Sequence, residues 1–445
     1  MKDSKIPPQA INYEEIVLAS CLIDENSTSI LVENFKSKLN VFYKRKHQLI
    51  YEAILNLFEK SEPIDLLTVS QKLKEKKNLE KIGGDYYLVQ LTQKISSSAH
   101  LDHHCKILIQ YFIKRKAIEV GSKLTEKSYK DEVDIFDLLD DIYFNIDNIH
   151  DWLSIKTSKK FKDNVDELFK KINSKHDGIP SGITSLQKKL NGYQKGNLII
   201  LAGRPGMGKT AFITSEALSM TKKNISVGLF SLEMTDRELT ARLLSNYSEI
   251  NTTAISNNQT NDFENRRMLE MKESFGKLPI NIHDQGAMTP IEIKIQSKKW
   301  VRENDVKIIF IDYIQLMNPG KKCNNREQEI STISQSLKAL AKELDIPIIA
   351  LSQLSRAVET RQIKRPILSD LRNSGSIEQD ADLVMFLYRP QYYDIKEWDD
   401  DNSPTQNQAE VNIAKYRNGR TGYTKVATRL EYMRFSDLEE NTPPY

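Results

Sequence analysis

"NLIILAGRPGMGKTAF", residues 197–212, decides how the rest of this 445-residue chain is read. An apolar run stops at Gly203, a glycine-rich turn follows, and Lys209 and Thr210 open a helix-like stretch. The spacing G-x-x-x-x-G-K-[ST] is met by Gly203, Gly208, Lys209 and Thr210. Glycines there let backbone N–H groups wrap phosphates, and a helix start adds partial positive charge. The lysine reaches the β and γ oxygens, and the threonine hydroxyl ligates Mg²⁺. Gly203, Arg204, Pro205, Gly206, Met207, Gly208, Lys209, Thr210 and Ala211 are therefore expected to hold ATP with Mg²⁺.

Outward from this turn, short apolar runs alternate with helical patterns: "SVGLFSLE", "VKIIFIDY", "IPIIALSQ", "ADLVMFLYR" and "EVNIAKY". Runs this apolar describe strands buried on both faces of a mostly parallel α/β sheet. Between them, "TISQSLKALAKEL" puts Ile333, Leu337, Leu340, Ala341 and Leu344 on one side of a helix. Ligands of such sheets bind beyond the carboxyl ends of the strands. There stand Asp312, expected to hold Mg²⁺ with Thr210, and Glu233, placed to orient and deprotonate an attacking water. Gln353 ends another run, where its amide can touch the γ-phosphate. These are the parts of a phosphoryl-transfer site, but no arginine for the transition state is among them.

Residues 12 to about 150 read differently. "QLIYEAILNLFEK" sets Leu49, Ile50, Ala53, Ile54, Leu57 and Phe58 at helical spacing, "IDLLTVSQKLKEK" continues the period, and the glycine pair of "KIGGDYYLVQL" reads as a turn. This half is expected to be an all-α domain over 1–150, followed by a linker over 151–181 and the ATPase domain over 182–445. In the linker, Phe161, Val165, Leu168, Phe169 and Ile172 mark one face of an amphipathic helix that must be buried on its own chain or on a neighbour. A last helical pair is expected around "DEVDIFDLLDDIYFNIDNI". "DHHC" at 102–105 spells a palmitoyltransferase signature without the zinc domain or spanning helices that chemistry needs, so His103 and His104 read as helix-surface residues.

Net charge is only +3, so nucleic-acid binding has to come from local cations. Three scattered cysteines, Cys21, Cys105 and Cys323, fit a reducing compartment. No stretch approaches the ~18 apolar residues of a spanning helix, and the expectation is a cytoplasmic protein without membrane contact. "DIKEWDDDNSPTQNQ" reads as a solvated acidic loop. "AKYRNGRTG", 414–422, is a turn carrying Lys415 and Arg417, cations that reach for an anion.

With "GRPGMGKT", "FSLEM", "IFIDYIQLM", "NREQEISTISQSLKALAKEL", "IPIIALSQLSR", "RPILSDLRNSGSIEQDADLVMFLYR" and "IAKYRNGRTG" in this order, the chain resembles the bacterial replicative DNA helicases of the DnaB family from about Pro7 to Phe435. The amino-terminal "YEEIVLASCLID", "FYKRKHQLIYEAI", "PIDLLTV" and "GGDYYLVQL" resemble that family's helical collar. The resemblance implies a RecA-like motor, a homo-hexameric ring, single-stranded DNA in its channel, 5′ to 3′ movement, a primase partner and, in some members, a loader. It makes Arg417 an arginine finger and Lys415 its companion, both acting across a subunit boundary. It also implies DNA contacts from Arg326, Arg372, Asn373 and the backbone at Gly375. Asn373 stands where the family usually has Glu, Tyr416 and Arg420 where Gln and Pro are common, and Gln335 where Arg is frequent. A RecA-type recombination ATPase and a non-motor ATP-binding scaffold are the competing readings.

Overall fold

The structure is a computed structural model that describes residues 6–35, 37–94, 100–130, 178–320 and 323–438, with helical positions at 138, 142, 145, 161, 162, 165, 166 and 169. Two compact units divide the chain, Met1–Asn164 and Val165–Tyr445.

The first unit is helical: α1 (Ile11–Ile23), α2 (Glu25–Phe35), α3 (Arg45–Glu59), α4 (Leu66–Glu75), α5 (Leu79–Ile82), α6 (Gly84–Thr92) and α7 (Leu101–Ser128). Asp65 caps α4 in a capping box with Thr68, and Gly83 ends α5 at φ +101°, a left-handed turn that leads into α6. The core joins Leu18, Phe35, Phe42, Ile50, Tyr51, Ile54, Leu88 and Phe112. Phe58 lies at the margin of its expected stripe, 38% exposed. On α7, Asp102 and His103 face solvent, His104 lies against Tyr13 and Cys105 is buried. No group of three metal-ligating side chains occurs among the described residues. The helical pair expected after 130 lies mostly outside the described residues, as do Leu168 and Ile172 of the linker helix. Positions 161, 165 and 169 are helical.

Among the described residues the second unit is built on nine strands: β1 (Leu198–Gly203), β2 (Val227–Ser231), β3 (Ile280–Asp284), β4 (Ile308–Asp312), β5 (Ile348–Gln353), β6 (Leu383–Tyr388), β7 (Gln408–Tyr416), β8 (Gly422–Arg429) and β9 (Arg434–Ser436), in the order β3-β2-β4-β5-β1-β6-β7-β8-β9. Pairing is parallel from β3 through β6 and antiparallel beyond. Helices α8 (Thr184–Leu190), α9 (Lys209–Thr221), α10 (Asp236–Ser248), α11 (Thr252–Ser256), α12 (Asp262–Gly276), α13 (Pro290–Asn304), α14 (Arg326–Leu344), α15 (Ala357–Thr360) and α16 (Gly375–Asp380) complete it. Alternate residues of β1 enter two different cores. Ile199 and Leu201 pack with Phe212 of α9, while Leu198, Ile200 and Ala202 pack with Ile333, Leu337 and Leu340 of α14. Burial on both faces is why the strand reads as one apolar run.

Three strands escape that reading. β3 is an edge strand only partly buried, and β8 alternates as "GYTKVATR", with one side of its residues in the core. β9 has three residues. The acidic loop is largely exposed, as expected, but Trp398 pins it: this residue is only 2% exposed, and its Nε1 donates to Gln408 Oε1 at 2.8 Å. Asp399 pairs with Arg365 at 2.9 Å, and Asp400 and Asp401 pair with Lys425 at 2.8 and 2.6 Å. Paired acids around one buried indole make it a folded flap whose acids remain largely in solvent, as expected.

Candidate functional site

Strand register brings the strand-end residues together. Gly203 of β1 is level with Gln353 of β5, and Ser231 of β2 is level with Asp312 of β4. Glu233 follows β2 by two residues, so all these positions emerge on one edge of the sheet.

There the loop 204–208 turns into α9. Gly206 and Gly208 take φ +79° and +89°, conformations that glycine adopts without strain. Close neighbours exclude larger residues as well: a Cβ on Gly206 would stand 2.6 Å from the Tyr392 ring. Lys209 Nζ donates to the carbonyls of Gly203 at 2.9 Å and Arg204 at 3.3 Å. Burial brings its pKa down to about 8, against the opposing pull of Asp312 and Glu233. Thr210 Oγ1 donates to Asp312 Oδ2 at 2.8 Å. Asp312 is buried, and burial raises its carboxyl pKa, with repulsion from Glu233 adding to the rise.

A cavity of about 370 Å³ opens over the loop. Pro205, Gly206, Gly208, Lys209, Thr210, Ala211, Glu233, Asp312 and Gln353 line it. Three expected loop positions do not. Gly203 contributes its carbonyl to Lys209, Met207 is buried in the core, and Arg204 turns its guanidinium to Leu354 O and Glu359, each at 2.8 Å. Arg242 of α10 also lines the cavity, close enough to Asp312 to favour its ionised form. Apart from Arg204 in the loop, the sequence reading placed no arginine of the chain's own here. Arg242 looks like any helix-surface cation until the adjacency of β2 and β4 is known.

Lys415 and Arg417 stand elsewhere. β7 runs antiparallel to β6, so Tyr416 pairs with Leu383, and Leu383 pairs with Ile199 near the start of β1. The β7–β8 turn therefore lies at the amino end of the parallel strands, about 17 Å along β1 from the phosphate loop at ~3.3 Å per residue. Lys415 Nζ donates to the carbonyl of Glu378, and Arg417 donates to Gln379 O and pairs with Asp382 at 3.3 Å. Burial lowers the Lys415 pKa, with the nearby Arg417 charge acting in the same direction. Tyr416 OH donates to Leu190 O at 2.9 Å, and its ring lies where a side chain on Gly419 would sit. The unusual tyrosine thus pins the turn to α8.

Arg326 opens α14 with half its side chain exposed, held by the Gln315 carbonyl and Glu329. Arg372 and Asn373 belong to a 3-10 turn, Leu368–Ser374, and Gly375 is the first residue of α16. The side chains at 372 and 373 lie outside the described parts of the structure.

The family model "DnaB-like helicase C terminal domain" matches residues 178–437, and "DnaB-like helicase N terminal domain" matches 6–110. The chain belongs to the DnaB family of replicative helicases. "Replicative DNA helicase DnaB" of Geobacillus stearothermophilus is 36% identical over 449 residues, covering 98% of this chain and 96% of the relative. "Replicative DNA helicase DnaC" of Bacillus subtilis (strain 168) is 36% identical over 445 residues with the same coverage. Among solved structures, "The Structure Of A DnaB-Like Replicative Helicase And Its Interactions With Primase" matches with a TM-score of 0.71 and 34% identity, over 97% of this chain and 100% of that one. The DnaB-family motor is thus a nucleotide-binding, RecA-like domain, and the enzyme class is ATP-dependent DNA helicase. The recombination and scaffold readings are not favoured. No helix among the described residues is long and apolar enough to cross a membrane.

Proposed function

We propose that the chain is one protomer of a homo-hexameric ring that binds ATP and Mg²⁺ between subunits, moves 5′ to 3′ on single-stranded DNA and unwinds duplex at the replication fork. The observation that carries the shared site is the strand register: Arg417 lies at the far end of the sheet from the phosphate loop of its own chain. A cation there meets nucleotide only by reaching a neighbouring protomer, through a heterologous interface that closes into a ring.

Within one protomer, the Gly206–Gly208 backbone and Lys209 bind the phosphates, and Glu233 orients water and accepts its proton. The buried Asp312, hydrogen-bonded to Thr210 and repelled by Glu233, fits a site that favours a cation. Thr210 and Asp312 would hold Mg²⁺, which would supply charge neutralisation to the phosphates. Such an ion keeps several waters, so it needs no larger cluster of protein ligands. Gln353 meets the γ-phosphate, and Lys415 and Arg417 come from the next protomer to stabilise transition-state charge. Arg326, Arg372, Asn373 and the Gly375 backbone contact DNA phosphates. The linker helix joins neighbours: Phe161 and Phe169 are 82% and 62% exposed in the single chain. A primase, and a loader where one is used, complete the partners, and the protein works in the cytoplasm.

Mixing Lys209→Ala with Arg417→Ala subunits tests the shared site. Some interfaces in the mixture pair an intact loop with an intact finger, so hydrolysis is expected to recover above both parents. No recovery at any ratio would refute the division of the site between chains.

A further inference from the structure

Gln353 borders two cavities: the nucleotide cavity, and a second of about 230 Å³ that it shares with Gln315, Arg326, Ser355 and Asp370. Gln315 lines the second cavity from the turn Ile314–Leu316, anchored by the buried Ile314. Its side-chain amide grips the end of β5 at both poles. Nε2 donates to Gln353 O at 3.2 Å and to Ser352 Oγ at 2.9 Å, while Oε1 accepts from Gln353 N at 3.2 Å. This two-way grip copies a strand ladder and fixes where Gln353 leaves the sheet. The main-chain carbonyl of the same residue accepts from the Arg326 guanidinium.

One residue thus holds Gln353 by its side chain and Arg326 by its backbone. A guanidinium that moves to a DNA phosphate must give up the Gln315 carbonyl or share it. The turn then loses a charged partner, and the amide that positions Gln353 rides on that turn. We propose that Gln315 is a positioning residue that couples engagement of DNA by Arg326 to the placement of Gln353 in the nucleotide cavity. The coupling rests on the proposed reading of Arg326 as a DNA contact. It acts in both directions, because an effect of DNA on nucleotide binding requires an equal effect of nucleotide on DNA binding.

The test uses the full chain, with hydrolysis measured with and without a single-stranded oligothymidylate and with oligonucleotide affinity measured by anisotropy. Gln315→Leu keeps an apolar side chain of moderate bulk and removes the grip. It is expected to cut the stimulation of hydrolysis by DNA about 10-fold, within the usual range of coupling between sites, while affinity for the oligonucleotide without nucleotide persists. Arg326→Ala is expected to lose both stimulation and affinity, and the double variant to lose no further stimulation, as for residues acting in one chain of contacts. Gln315→Glu guards against a folding defect. Its carboxylate accepts from Gln353 N but does not donate, and protonation restores the donor, so stimulation relative to the unaltered chain should recover toward acid pH. Full stimulation in Gln315→Leu, additive losses in the double variant, or no acid recovery in Gln315→Glu would overturn the proposal. Unchanged DNA affinity and salt dependence in Arg326→Ala would instead remove the DNA-contact reading, and the coupling with it.

Discussion

At the carboxyl end of the parallel strands Lys209 rests on carbonyls of its own loop and Thr210 on a buried carboxylate; at the amino end two cations lean on the end of a separate helix, with Arg417 about half exposed. Lys209 is held by the Gly203 carbonyl, Thr210 bonds the buried Asp312, and a Cβ on Gly206 would meet the Tyr392 ring. Lys415 and Arg417 lean on Glu378 O, Gln379 O and Asp382, with the arginine about half exposed. The difference teaches a division of labour. A site that must recognise the same phosphates in every cycle is over-determined, and a residue that must arrive and leave is held by contacts it can exchange.

The largest effect should come from the exchangeable end. Arg417→Ala is expected to lower kcat by about 10³-fold or more, the range for loss of an arginine finger, while nucleotide affinity changes much less. Steady-state hydrolysis together with nucleotide titration would separate the two quantities. A kcat close to that of the unaltered chain would reduce the β7–β8 turn to an exposed hairpin and erase the contrast.

The next effect probes the fixed end through pH. Burial brings the Lys209 amine down to about 8, so in the free protein it is charged below that pH and loses its proton above it. Bound phosphate favours the charged amine, hence nucleotide binding above pH 8 must take up a proton. Affinity should be highest below about pH 8 and then fall toward 10-fold per pH unit. Lys209→Arg, whose guanidinium stays charged, should lose this slope whatever its starting affinity. A flat profile in the unaltered chain would mean that Lys209 is not the charge facing the phosphates.

Legibility in the sequence follows the same division. The phosphate loop is local, so its glycines, Lys209 and Thr210 can be read from spacing alone. Strand ends such as Asp312 and Gln353 are readable because a fully buried run makes its first polar residue conspicuous. What escaped depends on distant partners. The direction of Arg204 is set by Glu359 and Leu354 O, and the exposure of Arg242 to the cavity is set by strands adjacent only in space. β8 escaped because a strand buried on one face alternates instead of running apolar, and the antiparallel pairing of β7 with β6, which sends Arg417 to the far end of the sheet, is set between partners distant in sequence. Trp398 was hidden in an acidic segment whose charges are neutralised by Arg365 and Lys425.

The smallest effect tests whether the two ends are linked through DNA. Helix α16 begins at Gly375, just after Arg372, and carries the Glu378 and Gln379 carbonyls that hold Lys415 and Arg417. It has six residues, about 9 Å at 1.5 Å per residue, so one short element joins the loop at Arg372 to the carbonyls that hold the two cations. If Arg372 holds a DNA phosphate, Arg372→Ala should weaken single-strand binding evenly across sequences and lower the slope of log affinity against log salt by about 1. The same variant should weaken the dependence of hydrolysis on DNA, because the carbonyls that hold the finger would no longer follow the strand. A lowered salt slope with full DNA stimulation would leave Arg372 as a phosphate contact but cut it from the finger. The carbonyls at 378 and 379 would then be a fixed rest, and the exchange of partners at the amino end would have to be driven from the neighbouring protomer alone.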